Sequence, residues 1–204
     1  MRVLIACEFS GIVREAFKAR GHDAWSCDLL PSEIPGNHHQ GPLEDWIGSG
    51  REWDLIIAHP PCTYLANSGV RWLYGDDKME RWENMKKGAA FFNMIRNRDC
   101  GRICVENPIM HKHAKRAINT PLDYWPNASS EPSQIMQPWQ FGHGETKATC
   151  LWLKGLPLLN PTEIVGGRVG RVFLEPPGPD RWKNRSRTYQ GIADAMATQW
   201  DFQI

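Results

Sequence analysis

The chain of 204 residues has the length of one globular domain with room for a small appendage. With 41% hydrophobic and 23% charged residues it excludes wholesale disorder, and no apolar run approaches the roughly 18 residues a membrane span needs. Lys and Arg exceed Asp and Glu by one (24 against 23), which excludes a globally cationic nucleic-acid binder, so any such surface must come from local charge segregation.

Six cysteines at 7, 27, 62, 100, 104 and 150 form no CxxC pair, a spacing that fits neither a zinc ribbon nor a disulfide framework and suits a reducing compartment. The N-terminus MRVLIACEFSG lacks a signal-peptide layout. Together these features predict a soluble, cytoplasmic protein. The ten tryptophans are expected to serve mainly in packing, with a minority available as stacking platforms for bases.

In chain order, RVLIAC at 2–7 reads as a strand buried on both faces. It breaks at Glu8-Phe9-Ser10-Gly11. Helical spacing of Ile12, Val13, Ala16 and Phe17 follows and stops at Gly21, and HDAWSCDL then gives a second strand ending near Asp28. A strand, tight turn, helix and strand in about 28 residues is the elementary piece of a doubly wound α/β sheet. Residues 31–50 read as loop with one helical turn.

Leu55 to Ala58 is another buried strand, stopped by His59-Pro60-Pro61-Cys62 because two prolines cannot continue a central ladder. Residues 78–98 form the clearest amphipathic helix, with Trp82, Met85, Ala89, Phe92 and Ile95 or Met94 on one face. GRICVENP repeats the strand with a sharp stop, TKATCLWLKG adds a strand, and IADAMATQW a closing helix. Residues 156–187, with six basic residues (Arg168, Arg171, Arg181, Lys183, Arg185, Arg187) against three acidic ones, read as an irregular excursion within a single domain.

Open α/β sheets bind ligands beyond the carboxyl ends of their strands, and reactive side chains gather at four such ends here. The Gly11 turn could bring a cofactor close to a helix N-terminus, or serve only as a turn; with one glycine it is not a dinucleotide fingerprint. Asp28, some 20 residues on, could accept hydrogen bonds from a ribose, or be a surface carboxylate. Cys62 is pinned behind two prolines, where a helix N-terminus or a neighbouring cation would lower its pKa and arm a nucleophile. The other cysteines lie inside apolar runs and read as inert core. Glu106 ends a strand, so partial desolvation is expected to raise its pKa and let it donate as well as accept protons.

These residues resemble the cytosine-C5 DNA methyltransferases. Pro60-Pro61-Cys62 looks like that family's catalytic motif, and Glu106-Asn107-Pro108 looks like its Glu-Asn-Val. The segment Phe141-Gly142-His143-Gly144-Glu145-Thr146-Lys147-Ala148-Thr149 is similar to the family's Tyr-Gly-x-Pro-Gln-x-Arg-x-Arg, and Gly191-Ile192-Ala193 resembles its last motif. The resemblance implies a Rossmann-like, S-adenosylmethionine-dependent methyltransferase fold with a mostly parallel sheet. It implies Cys62 adding to C6 of the base, with Glu106 on N3 and the exocyclic amine. Pro61, Asn107 and Lys147 would contact the substrate, and Glu8, Phe9, Ser10, Gly11, Asp28, Leu29, Pro60 and Ile192 would hold S-adenosyl-L-methionine. No metal is implied. DNA, duplex or single-stranded, is the implied substrate, with the target base flipped out of a duplex.

Departures from the family pattern are specific. Ile12-Val13-Arg14 replaces the second and third glycines of the first motif. Gly41-Pro42 stands where Gly-Asp is usual, and Lys147 and Thr149 replace two arginines. Only residues 156–187 are available where the family has a target-recognition domain, so sequence readout would need a partner protein. Compact chains of this pattern look like those of phages and prophages.

Other readings stand beside this one. An amino-methyltransferase would put Asp, Asn or Ser before the two prolines and an aromatic after them, whereas His59 and Cys62 stand here. A free pyrimidine nucleotide could replace DNA, with the basic 168–187 segment or the His111-Lys112-His113, Lys115-Arg116 cluster taking one phosphate. A catalytically inactive relative could retain only cofactor or DNA binding. Metal binding by His38-His39 or His111 with His113 lacks a matched second cluster, and solvated loop histidines explain both pairs.

Overall fold

The computed structural model describes residues 1–48 and 50–202. Its centre is a sheet of seven strands in the order β3-β2-β1-β4-β5-β7-β6. These are β1 (Arg2–Ala6), β2 (Asp23–Asp28), β3 (His38–Gln40), β4 (Leu55–Ala58), β5 (Ile103–Pro108), β6 (Gln134–Met136) and β7 (Thr149–Lys154). All pairings from β3 to β5 are parallel, while β7 runs antiparallel to both β5 and β6. The fold is therefore α/β with a mostly parallel sheet, as the sequence predicts. Strand order reverses direction between β1 and β4, which makes their carboxyl ends the crevice of an open sheet.

Seven helices accompany the strands among the described residues: α1 (Ile12–Ala19), α2 (Leu43–Ile47), α3 (Lys78–Arg96), α4 (Lys112–Ile118), α5 (Arg171–Leu174), α6 (Arg181–Ser186) and α7 (Gln190–Gln199). A 3-10 stretch, Asn67–Tyr74, links β4 to α3. The central strands read as continuous apolar runs because both faces are covered. On one face Val3, Ile5, Leu55 and Ile57 pack against α1 (Val13, Phe17), α7 (Ile192, Met196) and Trp200, which follows α7. On the other, Leu4, Ile56, Ile103 and Val105 meet α3 (Met85, Ala89, Phe92, Ile95) and α4 (Ala114, Ile118). The α3 face is the one its periodicity predicts. None of the helices among the described residues is long and apolar enough to cross a membrane.

Two expectations are corrected. Residues 31–50 are not only loop and one helical turn: His38–Gln40 adds β3 parallel to β2. The 109–136 region, for which the sequence suggests no element, holds α4 and β6. The 156–187 excursion is irregular for most of its length but carries the short helices α5 and α6. It is also paired to the chain before β7: Phe141 bridges Glu163 and Glu145 bridges Val169.

Candidate active site

Sheet register brings the sequence motifs to one end of the molecule. Ala58 of β4 pairs with Val105 of β5, so the next residues on the two strands, His59 and Glu106, are neighbours. Beyond them the two connecting loops are joined. The Asn107 side-chain amide donates to the Pro60 carbonyl at 3.0 Å, and Asn67 and His111 donate their backbone N–H groups to the Ile109 and Leu65 carbonyls at 2.8 and 3.1 Å. Cys62 sits at the start of that joined segment, its carbonyl accepting from the Leu65 and Ala66 N–H groups. Because β7 is antiparallel to β5, with Asn107 opposite Cys150 and Pro108 opposite Thr149, the chain enters β7 at this same end and carries Lys147 there.

Glu106 is bonded to His59, Nδ1 to Oε2 at 2.7 Å, and both side chains are largely buried. Burial pushes the Glu106 carboxyl up, but the His59 bond and charge together with the Lys147 ammonium outweigh it and hold the group below the usual Glu range. The expectation of a raised Glu106 is thereby overturned, because a partner absent from the sequence reading supplies the bond. Cys62 is corrected in the opposite sense. Burial raises its thiol and the Glu106 charge raises it further; Lys147 and Arg185 pull it down without prevailing. At rest, Glu106 is a carboxylate and Cys62 a thiol.

Beside Glu106 a small cavity of about 10 Å³ is lined by His59, Glu106, Lys147, Tyr189 and Ile192 among others. That space holds about one water. The Lys147 ammonium donates to the Arg185 carbonyl at 2.9 Å, and its backbone N–H donates to the Gln137 side chain at 3.0 Å. The Tyr189 hydroxyl donates to Glu145 at 2.6 Å, and Glu145 also pairs with Arg171 at 2.8 Å. Gly191 touches the Phe141 carbonyl so closely that a Cβ there would sit 1.9 Å from its oxygen. This contact, with the Gly191 N–H donating to His143 at 2.9 Å, fixes α7 and its Ile192 against the 141–147 segment.

The first turn lies on the β1 side of the crevice, where the Glu8 carboxyl senses the His59 charge. Glu8 is buried, and its carboxyl accepts the Val13 and Arg14 N–H groups at 2.7 and 3.3 Å, while Ser10 accepts from the Ile12 N–H at 3.4 Å. The N-terminal amides of α1 are therefore engaged by the protein's own side chains. Gly11 takes a left-handed φ of 76°, which favours glycine. Asp28 ends β2 with its carboxyl accepting the Leu30 N–H at 2.9 Å; burial raises its pKa. Leu29 beside it is exposed, and Phe9 packs against Trp182 of α6 with ring centroids 6.0 Å apart.

These residues can be tested against a cofactor by charge. A pyrophosphate would need the α1 amides that Glu8 and Ser10 already occupy. S-adenosylmethionine carries no phosphate and bears cationic ammonium and sulfonium groups, which suit a crevice flanked by the carboxyls of the buried Glu8 and the half-buried Asp28. An acceptor at Asp28 beside apolar Leu29 fits a ribose next to a purine ring. The residues present therefore fit that group.

Tyr189 and Thr188, outside the sequence reading, line the candidate site, and His59 and Arg185, read there only as a strand-end residue and a basic-segment residue, take specific partners in it. The signal is tertiary: His59 meets Glu106 through the β4–β5 register, and the excursion is brought in by the bridges Phe141–Glu163 and Glu145–Val169. The histidine pairs have structural roles. His111 caps α4 by accepting the Ala114 N–H at 3.0 Å, His38 bridges Ser26 and the Leu30 carbonyl, and His39 stacks on Trp46. No group of three or more His, Cys, Asp or Glu among the described residues is arranged to hold a metal.

No protein-family model matches the chain, and no curated protein matches it. Among solved structures it is similar to one described as a candidate DNA modification methyltransferase encoded within an E. coli prophage, with a TM-score of 0.50 at 14% identity. The match covers 80% of this chain and 51% of that one, so the chain spans about half the length of its structural neighbour. The likeness is one of fold.

Proposed function

We propose that this protein is an S-adenosylmethionine-dependent methyltransferase of Rossmann-like fold, residues 1–204 acting as one catalytic domain, that methylates C5 of cytosine in DNA through a covalent Cys62 adduct at C6. The observation that carries this reading is the convergence of a loop-fixed thiol and a buried carboxylate at the adjoining ends of β4 and β5. The structural neighbour, itself described as acting in DNA modification, supports the same substrate class.

Cytosine C5 becomes nucleophilic only after addition at C6. Cys62 supplies the sulfur for that bond, and its proton passes to Glu106, which the ionised carboxylate can accept. Glu106 then donates to N3 while accepting from the exocyclic amine, so the negative charge developing on the ring is met by a placed donor. Bound S-adenosylmethionine supplies the methyl group that C5 takes up. The C5 proton then passes to solvent water as the C6–S bond breaks, its electron pair returning to sulfur; the thiolate regains the proton held between Glu106 and N3, which restores the ring and the Cys62 thiol. Asp28, Leu29 and Phe9 hold the cofactor, and Asn107 fixes the Pro60-Pro61 turn on which Cys62 sits.

Methyl-labelled S-adenosylmethionine offered with duplex DNA, single-stranded DNA and dCMP, followed by nucleoside mass spectrometry, tests the reaction. Label in DNA as 5-methylcytosine is expected. DNA carrying 5-fluorocytosine tests the adduct, since fluorine at C5 blocks the final proton loss. A stable protein–DNA conjugate is expected from the native protein and none from Cys62→Ala. Transfer to DNA undiminished in Cys62→Ala overturns the covalent mechanism.

One observation favours a free pyrimidine nucleotide as an alternative substrate. Three of the excursion's basic residues are engaged within the chain, Arg171 with Glu145, Lys183 with Asp180 and Arg187 with Glu33, which leaves less charge for a DNA backbone. Label confined to dCMP selects that reading.

A further inference from the structure

His59 has no part in the reaction just described, yet it is built into the site. Its side chain is only 9% exposed, it lines the cavity beside Glu106, and its Nδ1 lies 2.7 Å from Glu106 Oε2. A carboxylate can only accept, so Nδ1 carries the hydrogen and donates. Nε2 is buried with no hydrogen-bond partner among the described residues. An apolar side chain of similar size at this position would avoid that orphaned nitrogen, so the imidazole is retained against a cost.

We propose that His59 is a positioning residue for the base-binding carboxylate: its Nδ1–H fixes Glu106 in one rotamer through one lone pair of Oε2 and leaves Oε1 and the other Oε2 lone pair to meet the substrate. The inference rests on the reading of Glu106 as the group that contacts the base. Its physical content is orientation. A glutamate carries three rotatable bonds, and a carboxylate that must meet both N3 and an amine in the transition state gains when that freedom is removed beforehand. His59 also sets the charge. Without its bond, burial governs Glu106 and favours the protonated form, leaving Lys147 alone to oppose it.

Other groups that bear on the pair come from each surrounding element. Glu8 faces His59 from the β1–α1 turn, and its charge interacts with the imidazole. The Cys62, Cys104 and Cys150 thiols sense the Glu106 charge, from the loop after β4, from β5 and from β7. Lys147 approaches ahead of β7, and Arg185 reaches Cys62 from α6.

Two variants separate orientation from packing. His59→Asn keeps a donor near the Nδ1 position, and His59→Leu keeps volume without a donor. The first measurement is substrate-free titration of the Glu106 carboxyl by carbon NMR on glutamate-labelled protein, with Glu106→Gln identifying the signal. In His59→Leu the midpoint is expected to rise, and in His59→Asn to stay close to native. The second is the kcat and KM split on DNA, where His59→Leu should lose on the order of 10²-fold in kcat with little change in KM, and His59→Asn should recover most of it. Native-like Glu106 titration in His59→Leu, or equal behaviour of the two variants, overturns the inference. Should the native protein transfer no methyl group while the Glu106 midpoint moves as expected, the proposed reaction falls and the His59–Glu106 relation stands. Methyl transfer with an unmoved midpoint sinks the inference alone.

Discussion

Arg14 stands where the resembled family has glycine, and its side chain is wholly buried, which makes Arg14→Met a sharp test of how the first turn is held. The guanidinium donates to the Ser26 hydroxyl at 2.9 Å, the Ser32 hydroxyl at 3.0 Å and the Ile34 carbonyl at 2.6 Å, and through Nε to Glu15 at 2.9 Å. It ties the segment after β2 to α1. Hydrogen bonds from a charged donor contribute about 1.5–3 kcal/mol each, and three of these reach residues 26–34. Two effects reduce that figure. Removing the guanidinium returns a desolvation cost of several kcal/mol. Ser26 also keeps its His38 contact, and Ser32 still donates to Ile34, so the partners are not orphaned.

A net loss of about 2–4 kcal/mol follows. At about 2–4 °C per kcal/mol for a chain of this size, thermal unfolding should fall by about 4–16 °C. Hydrogen exchange should show the loss of protection concentrated in residues 28–38. Because that segment begins with Asp28 and Leu29, S-adenosylhomocysteine affinity measured by calorimetry should drop more than the native protein's dependence on temperature accounts for. A loss below about 1 kcal/mol, or lowered protection spread evenly over the sheet, would refute the reasoning, since the buried charge would then hold nothing in place.

Three further outcomes are expected. In Glu106→Gln the carboxylate that raises the Cys62 thiol is gone, so alkylation of Cys62 by iodoacetamide at pH 8 should be several-fold faster than in the native protein even as methyl transfer collapses; slower alkylation would show that the two groups do not interact. Gly191→Ala places a Cβ against the Phe141 carbonyl and should cost about 1–3 kcal/mol in denaturant unfolding, with reduced transfer because Ile192 and Tyr189 shift with α7. The Arg187–Glu33 pair is partly exposed, so Arg187→Ala should cost under about 1 kcal/mol. The pair holds Glu33 below its usual range, so its small contribution is present above the ordinary carboxylate pKa and fades as pH falls through the lowered value. A urea midpoint difference between native and Arg187→Ala that grows on acidification contradicts this.

Elements that carry their own burial pattern were legible in the sequence. β1, β4 and β5 are short apolar runs stopped by polar or proline residues, and α3 repeats its apolar face over five turns; each lies where those signals predict. The two edge strands were not legible for a physical reason. β3 is His-His-Gln and β6 is Gln-Ile-Met, three residues each, paired on one side and therefore under no demand to alternate or to be apolar. α4 was hidden by its cap. Ser, Thr, Asp and Asn announce a helix start, whereas here a histidine accepts the Ala114 N–H, so a capping residue and the helix behind it read as a basic cluster.

The placement of the candidate residues divides along the same line. That Cys62, Glu106 and Asn107 share one end of the sheet was legible because Cys62 comes just after β4 and Glu106 and Asn107 lie in the last residues of β5, and strand ends in such a sheet converge. Their protonation states were not, because those depend on pairs of residues far apart in the chain. Glu106 alone at a strand end would be raised by burial; it is lowered because residue 59, 47 positions earlier, is a histidine in the adjoining strand's first loop position. Cys62 is raised by the charge so created. Reading the motif one residue at a time thus gives each group the opposite state from the one the pair adopts. The pair holds a proton on sulfur and a charge on oxygen, and in the proposed reaction one transfer, S–H to carboxylate, would yield both the nucleophile and the donor to N3.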